Sequence, residues 1–163
     1  MEKRTNTDIL YEIAIERLNE QIKTIDGIDN KIGITFGLAN GIIAALIAFI
    51  ALIKLPVSQP VIIVIGLSIF AYLITLVFLF YAYRFSKWSY NPNVKILKEF
   101  CFDPKYKEYP DIIKSWVADN CIISIELNRE SIKEKLTLAY IALISVSAQG
   151  IFLAISCFIY LLN

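Results

Sequence analysis

Three long stretches without a charged residue divide the chain. They run from 32 to 53, from 55 to 83 and from 136 to 163, and they contain 22, 29 and 28 residues. A helix needs about 20 predominantly apolar residues to cross the hydrocarbon core of a bilayer, and a helix in a soluble domain rarely runs so long without a charge. The pattern therefore predicts an all-α integral membrane protein with three transmembrane helices.

The charged segments between these stretches have the spacing of amphipathic helices. Apolar residues that recur every three or four positions, as one packing face of a helix requires, precede the first stretch: Tyr11, Ile15, Leu18, Ile22 and Ile25. Thr7 and Asp8 offer an N-cap for this helix. Pro110 suits the first turn of another helix, which meets no further proline or glycine before Gly150. One long helix is therefore expected to run from Pro110 into the third span.

The distribution of lysine and arginine predicts how the chain is oriented. Residues 1–31 carry five of them and residues 84–135 carry ten, whereas the turn between the first two spans carries only Lys54. Basic residues concentrate on the cytoplasmic side of a membrane. We expect a cytoplasmic amphipathic helix in 1–31, a transmembrane hairpin in 32–83 with spans 32–53 and 60–83, a cytoplasmic helical segment in 84–135, and a third span in 136–163 that ends outside.

Composition narrows the functions that this sequence can support. Charged residues make up 19% of the chain, below the roughly 25% of soluble domains, and the net charge of +1 indicates no nucleic-acid partner. Histidine is absent, and no catalytic or phosphate-binding motif is present. Three separated cysteines, Cys101, Cys121 and Cys157, lack the spacing of a metal site. The sequence predicts neither an enzyme nor a resident cofactor or metal.

Small and polar residues inside the spans are the first candidate site. Gly33, Gly37 and Gly41 repeat every four residues beside Asn40, and glycine is costly in an ordinary helix. In lipid such residues let helix backbones approach closely. The third span has its own group, of which Ser145, Gln149 and Gly150 are the candidates for helix packing. Two interpretations stay open: the two groups pack against each other within one chain, or they form a contact between subunits or line a water-filled path.

A second candidate is the polar cluster of Asp26, Asp29 and Lys31 where the first span begins. One interpretation is a solvated helix end. The alternative is a salt bridge to the later helix, for instance to Lys133 or Lys135, which would give the cluster a role in gating. No Asp, Glu, Lys or Arg lies within any span, which argues against an ion-coupled carrier but not against a passive pore or a bundle that perturbs the bilayer.

The order of parts resembles a known family. The segment "ERLNEQIKTIDGIDNK" that leads into a small-residue span, and "LNRESIKEKLTLAY" that leads into the last one, are similar to bacterial Pycsar transmembrane effectors and to the wider group of SLATT-type small membrane effectors. The resemblance implies antiviral defence at the bacterial inner membrane, triggered by a nucleotide second messenger. It leaves open whether this chain binds a cyclic nucleotide itself or depends on a sensor protein.

Aromatic and basic residues suited to stack on a base and neutralise a phosphate are the candidates for direct nucleotide binding: Trp88, Lys105, Tyr106, Lys107 and Trp116. Together these observations predict a homo-oligomeric membrane effector that disrupts or permeabilises the bilayer. Two rivals remain. One is an accessory or structural subunit of a larger membrane complex, and the other is a constitutive homo-oligomeric channel.

Overall fold

The computed structural model describes residues 5–53, 56–84 and 110–162, which form three helices. They are α1 (Asn6–Leu52), α2 (Gln59–Arg84) and α3 (Pro110–Leu162). Each is long and apolar enough to cross a membrane, so the all-α class with three such helices is confirmed. With 47 and 53 residues, α1 and α3 have more than twice the length that one crossing needs.

The start of α1 differs from the prediction. Thr5, not Thr7, is the N-cap: its Oγ1 accepts a hydrogen bond from the backbone N of Asp8 at 3.3 Å, and Asp8 Oδ2 accepts one from the backbone N of Thr5 at 3.0 Å. This reciprocal pair is a capping box. Thr5 has an acid three residues later, whereas the corresponding residue for Thr7 is Leu10, which has no acceptor to return the bond.

The other two helices begin with a proline in one case and with backbone hydrogen bonds to a preceding carbonyl in the other. Pro110 opens α3 as expected, because a helix needs no donor from the first backbone nitrogen. At α2, the carbonyl O of Ser58 accepts hydrogen bonds from the backbone N of Val61 and of Ile62 at 3.1 and 3.4 Å. Within α1, Gly27 does not interrupt the helix, so the predicted segments 1–31 and 32–53 belong to one continuous element.

Two compact units divide the chain. The first comprises residues 1–27 and 86–133, and its described part pairs the beginning of α1 with the beginning of α3. Its core consists of small and apolar side chains: Ala14, Leu18, Val117, Ala118 and Cys121. Gln21 Nε2 donates a hydrogen bond to the carbonyl O of Ile125 at 3.0 Å, and Lys114 pairs with Asp8, so the two segments run parallel.

The second unit, Ile28–Phe85 and Glu134–Asn163, contains the uncharged stretches. Here α1 and α3 again run parallel, since Asp29 pairs with Lys135 and the rings of Phe49 and Tyr160 meet edge to face at 5.7 Å. The buried side chains of α2 include several that are small or polar: Ser68, Ala71, Thr75 and Ala82. These small residues let the helices approach closely without an apolar core of large side chains.

One series of fully buried positions in α3 recurs every seven residues. Each of the following is at most 2% exposed: Cys121, Asn128, Lys135, Ala142, Gln149 and Ser156. In α1 the same spacing joins Leu18, Ile25, Ile32, Ala39 and Leu46, all buried. A seven-residue repeat keeps one seam of a helix turned toward its neighbour. That seam carries polar groups in α3, and these groups form the candidate site.

Candidate functional site

A polar layer joins the three helices of the second unit. Tyr72 Oη donates a hydrogen bond to Asn40 Oδ1 at 2.9 Å, which links α2 to α1. Gln149 Nε2 donates to the carbonyl O of Ala39 at 3.4 Å, which links α3 to α1. Ser68 Oγ donates to the carbonyl O of Gln149 at 3.2 Å and links α2 to α3. These hydrogen bonds close a triangle of contacts among the three helices.

A further bond strengthens the link between α2 and α3. Ser145 Oγ donates to the carbonyl O of Ala71 at 2.8 Å. The side chains of Ser68 and Gln149 are fully buried. Hydrogen bonds between helices in lipid contribute about 0.6–2 kcal/mol each. Because apolar contacts alone allow one helix to slide along another, these directional bonds fix the axial register of the bundle.

A buried lysine lies at the start of the third uncharged stretch. Lys135 forms an ion pair with Asp29, and its side chain is 2% exposed, whereas that of Asp29 is 43% exposed. The salt bridge that the sequence left as an alternative is therefore present. A buried ammonium is tolerated in a protein when it is paired and hydrogen-bonded. The ion pair links α1 to α3 where the uncharged stretch of each helix begins.

The other members of that predicted cluster lie apart from the pair. Lys31 is two residues, and therefore about 200°, from Asp29 around the helix. It is exposed and lines a groove between α1 and α3, while Asp29 lines a groove between α1 and α2. Asp26 is exposed. The structure thus assigns the ion pair to Asp29 alone among the three.

The glycine face of α1, formed by Gly33, Gly37 and Gly41, is exposed. A methyl group built on any of these glycines would meet no atom within 4 Å in the described residues, apart from its chain neighbours and the nearby backbone of its own helix. At 100° per residue, Gly37 and Gly41 lie about 160° around the helix from Ala39, which is fully buried. The interpretation that these glycines pack against the third span of the same chain is therefore wrong.

Gly150 behaves differently from the glycines of α1. A methyl group built on it would lie 3.6 Å from Ile42 Cδ1, so this glycine contacts α1 in the same chain. Among the predicted packing residues of the third span, Ser145, Gln149 and Gly150 thus contribute to contacts within the chain. The two groups that the sequence linked are separated: one is used inside the chain and the other is exposed.

The predicted nucleotide-binding residues fall largely outside the described residues. Trp88, Lys105, Tyr106 and Lys107 belong to residues 85–109, which the structure does not describe. Trp116 is half-buried against the core of the first unit, and its carbonyl O accepts a hydrogen bond from Asn120 Nδ2 at 2.8 Å. A nucleotide site built on these residues stays a prediction.

A second ion pair joins α1 to α3 in the first unit. Lys114 pairs with Asp8, with side chains 39% and 25% exposed. The hydrogen bond from Lys114, helped by those from Thr5, lowers the pKa of the Asp8 carboxyl from 3.8 to about 2. The pair was not anticipated from the sequence, because Asp8 and Lys114 lie 106 residues apart.

Ser68 and Tyr72 of the polar layer were also missed. The signal that reveals them is the spacing of small and polar residues in the second span, where Ser68 and Thr75 are seven apart. In an apolar span such residues mark the side that faces another helix. The same rule singled out Gln149 in the third span.

Cysteines and acids do not form a metal site in residues 5–53, 56–84 and 110–162, where no group of three potential ligands lies together. Cys121 is buried, and burial raises the pKa of its thiol. Such a thiol is less reactive, because the thiolate is the reactive form.

Comparisons with protein-family models, with curated proteins and with solved structures found no match.

Proposed function

We propose that the protein is a bacterial membrane effector that self-associates through the glycine face of α1 and compromises the integrity of the inner membrane in antiviral defence. The observation that supports self-association is the exposure of that face. Three glycines in one helix cost ~1 kcal/mol each relative to alanine. Their cost is not offset by contacts within the described chain, but it would be offset by close contact with a second copy.

The surface available for such a contact extends beyond the glycines. Ala44 and Ala48 are exposed and continue the glycine face toward the end of α1, so small residues follow one side of the helix from Gly33 to Ala48. Of the most apolar window in each helix, between 17% and 28% is buried within the chain. A face of small residues on an otherwise lipid-exposed helix is the arrangement through which transmembrane helices associate.

The trigger is proposed from the resemblance to Pycsar transmembrane effectors. In this proposal a nucleotide second messenger, bound directly or through a sensor protein, acts on the charged segments. These face the cytoplasm by the distribution of lysine and arginine. The pair between Asp29 and Lys135 is suited to gating, because it joins α1 and α3 where both become uncharged. Loosening it would free the two helices to move against each other.

Self-association is tested by replacing Gly37 with leucine. The change adds bulk in open space, so the fold of one chain should persist while the oligomer weakens by about tenfold or more, which requires a loss of only ~1.4 kcal/mol. The oligomer is measured by subunit counting from photobleaching steps in bilayers. Gly66→Leu is the matched control: Gly66 is also an exposed glycine with open space around it, but on α2.

The oligomer measurement tests the glycine face, and three further assays separate the proposed function from its rivals. Loss of oligomer in Gly37→Leu but not in Gly66→Leu supports the proposed face, and unchanged oligomers in both variants contradict it. Induced expression that is harmless alone but toxic with a nucleotide signal or a phage supports the effector. Leakage from liposomes without any trigger favours the constitutive channel. Stable co-purification of another membrane protein, with neither toxicity nor leakage, favours the accessory subunit.

A further inference from the structure

A groove between α1 and α3 has apolar walls and one basic end. Its α1 side includes Lys31, Ile34 and Leu38, and its α3 side includes Leu136, Tyr140 and Leu143. Its volume is about 260 Å³. From Lys31 to Leu38 the helix advances by roughly 10 Å at 1.5 Å per residue. The groove is therefore long enough to hold part of one extended hydrocarbon chain.

The basic end carries a cation whose charge is not used inside the described chain. Asp29, the nearest acid along α1, is paired with Lys135 and faces a different groove. Thr35, which also lines the groove, donates its hydroxyl to the carbonyl O of Lys31 at 2.8 Å and so satisfies itself within its own helix. The Lys31 ammonium is exposed and can receive an anion from outside the chain.

The position of Lys31 along the helix indicates the source of that anion. Lys31 is the last charged residue before the uncharged stretch 32–53, and Leu136 is the first residue of the stretch that follows Lys135. Where a spanning helix turns from charged to apolar, lipid headgroups begin, and lysine side chains extend to them. A phosphate held at Lys31 and an acyl chain held along Leu38 and Leu143 would belong to one lipid molecule, because these residues line the same groove.

A second groove, between α1 and α2, shows what distinguishes the first. It is larger, with a volume of about 520 Å³, and is lined by Phe36, Leu79 and Tyr83 among others. Its charged group is the carboxylate of Asp29 rather than an ammonium. Both grooves can accept hydrocarbon, but only the groove with Lys31 offers a positive charge to a headgroup. Charge complementarity therefore assigns an anionic occupant to the α1–α3 groove.

We infer that the α1–α3 groove binds an anionic phospholipid, with its acyl chain between α1 and α3 and its headgroup phosphate at the Lys31 ammonium. The inference requires that the apolar helices lie in a bilayer. It requires neither self-association nor a role in defence, so it can fail or hold independently of the proposed function. Basic pockets between transmembrane helices are a recurring form of headgroup recognition.

The test titrates the detergent-solubilised full chain with phosphatidylglycerol and, separately, with phosphatidylcholine, and counts bound lipid by native mass spectrometry. We expect a preference for phosphatidylglycerol that falls about fivefold in Lys31→Gln, the effect of one basic residue near an anionic lipid surface. Lys31→Arg should retain the preference. Lys23→Gln removes one exposed charge elsewhere on α1 and should leave the preference unchanged.

Variants that fill the groove with a large side chain test where the acyl chain binds. Ala139 lines the groove, and Ala139→Phe should reduce binding of both lipids, whereas Leu76→Phe in the α1–α2 groove should not change the preference for the anionic lipid. Circular dichroism checks that each variant keeps its helices. Equal binding of the two lipids by the unaltered chain overturns the inference. So does a preference for phosphatidylglycerol that is unchanged in Lys31→Gln or that falls equally in Lys23→Gln. Displacement of the lipid by inorganic phosphate alone also overturns it.

Discussion

Two lysine–aspartate pairs join the same two helices, and they differ in which partner is buried. In the first unit, Lys114 and Asp8 are both partly exposed, at 39% and 25%. In the second unit, Lys135 is 2% exposed and Asp29 is 43% exposed. The chemistry of the two pairs is identical, so any difference in their contribution to stability arises from the surroundings of the charges.

Burial changes what happens when a partner is lost. Without Asp8, the Lys114 ammonium can turn to water, and exposed pairs contribute little for this reason. Without Asp29, the Lys135 ammonium would remain among buried side chains and would lose the negative charge with which it pairs. Breaking a buried pair leaves an uncompensated charge, which is far more costly than the loss of the attraction itself. We therefore expect the second pair to contribute more to the stability of the fold than the first.

The largest expected effect is that of Asp29→Asn. The change keeps the size of the side chain and removes its charge, so Lys135 loses its ion pair with Asp29. We expect a loss of about 3 kcal/mol in the free energy of unfolding, the lower end for a broken buried pair, because Asp29 is itself partly exposed. Unfolding is followed by circular dichroism during titration with sodium dodecyl sulfate in mixed micelles.

A second change in the same background provides the control. Lys135→Met together with Asp29→Asn removes both charges and keeps an unbranched side chain in the buried position. The double variant should regain most of the lost stability, because replacing a buried pair by apolar side chains is often neutral or stabilising. If the double variant were no more stable than Asp29→Asn alone, the cost would not come from the buried ammonium, and the contrast between the two pairs would fail.

Replacing a buried residue that is polar but uncharged should cause an intermediate loss in the free energy of unfolding. Gln149 is fully buried, and Gln149→Leu removes the hydrogen bond from its Nε2 to the carbonyl O of Ala39. The expected loss is about 1 kcal/mol, typical of one interhelical hydrogen bond in lipid. The same titration measures it, with Ser147→Leu as control, since the Ser147 hydroxyl is exposed and donates to the carbonyl O of Leu143 in its own helix.

The expected stability loss is larger for Asp29→Asn than for Gln149→Leu because of charge, not because of burial alone. A loss in Gln149→Leu equal to that in Asp29→Asn would show that any polar change in the bundle core is equally costly. The backbone carbonyl of Gln149 keeps its bond from Ser68 in the variant, which limits the loss to the side chain.

The sequence predicted the helices better than it predicted their faces. Charge-free stretches determine where a chain can cross a membrane, because a charge in the hydrocarbon core is costly. The starting residue Pro110 and the continuity of α3 followed from the placement of proline and glycine. The cap of α1 was missed because two threonines compete within three positions, and only the acid at the third helical position favours Thr5.

Which side of each span packs inside the chain could not be read from apolar residues. In water a large apolar side chain marks the buried face, but in lipid it is equally stable on either side. The sequence therefore did not show that Gly37 is exposed and that Ala39, two residues away, is buried. Polar residues were better guides, since Gln149 and Ser145 are buried. A salt bridge from the cluster to the later helix was one of two interpretations, with two lysines as examples of the partner, and in the structure Lys135 pairs with Asp29.

The smallest expected effect is that of Asp8→Asn, and its signature is a dependence on pH. The pKa of Asp8 is about 2 in the folded chain and near its usual 3.8 when unfolded, so its contribution to stability is present above about pH 4. It is lost as the pH falls from about 4 to about 2. The difference in melting temperature between the natural chain and Asp8→Asn should therefore be small at pH 5 and shrink toward zero near pH 2, measured in a non-ionic detergent. Lys114→Ala should reduce that pH dependence as well, because Lys114 is the main cause of the lowered pKa. A difference that stays constant from pH 5 to pH 2 would mean that the exposed pair does not favour the charged carboxylate.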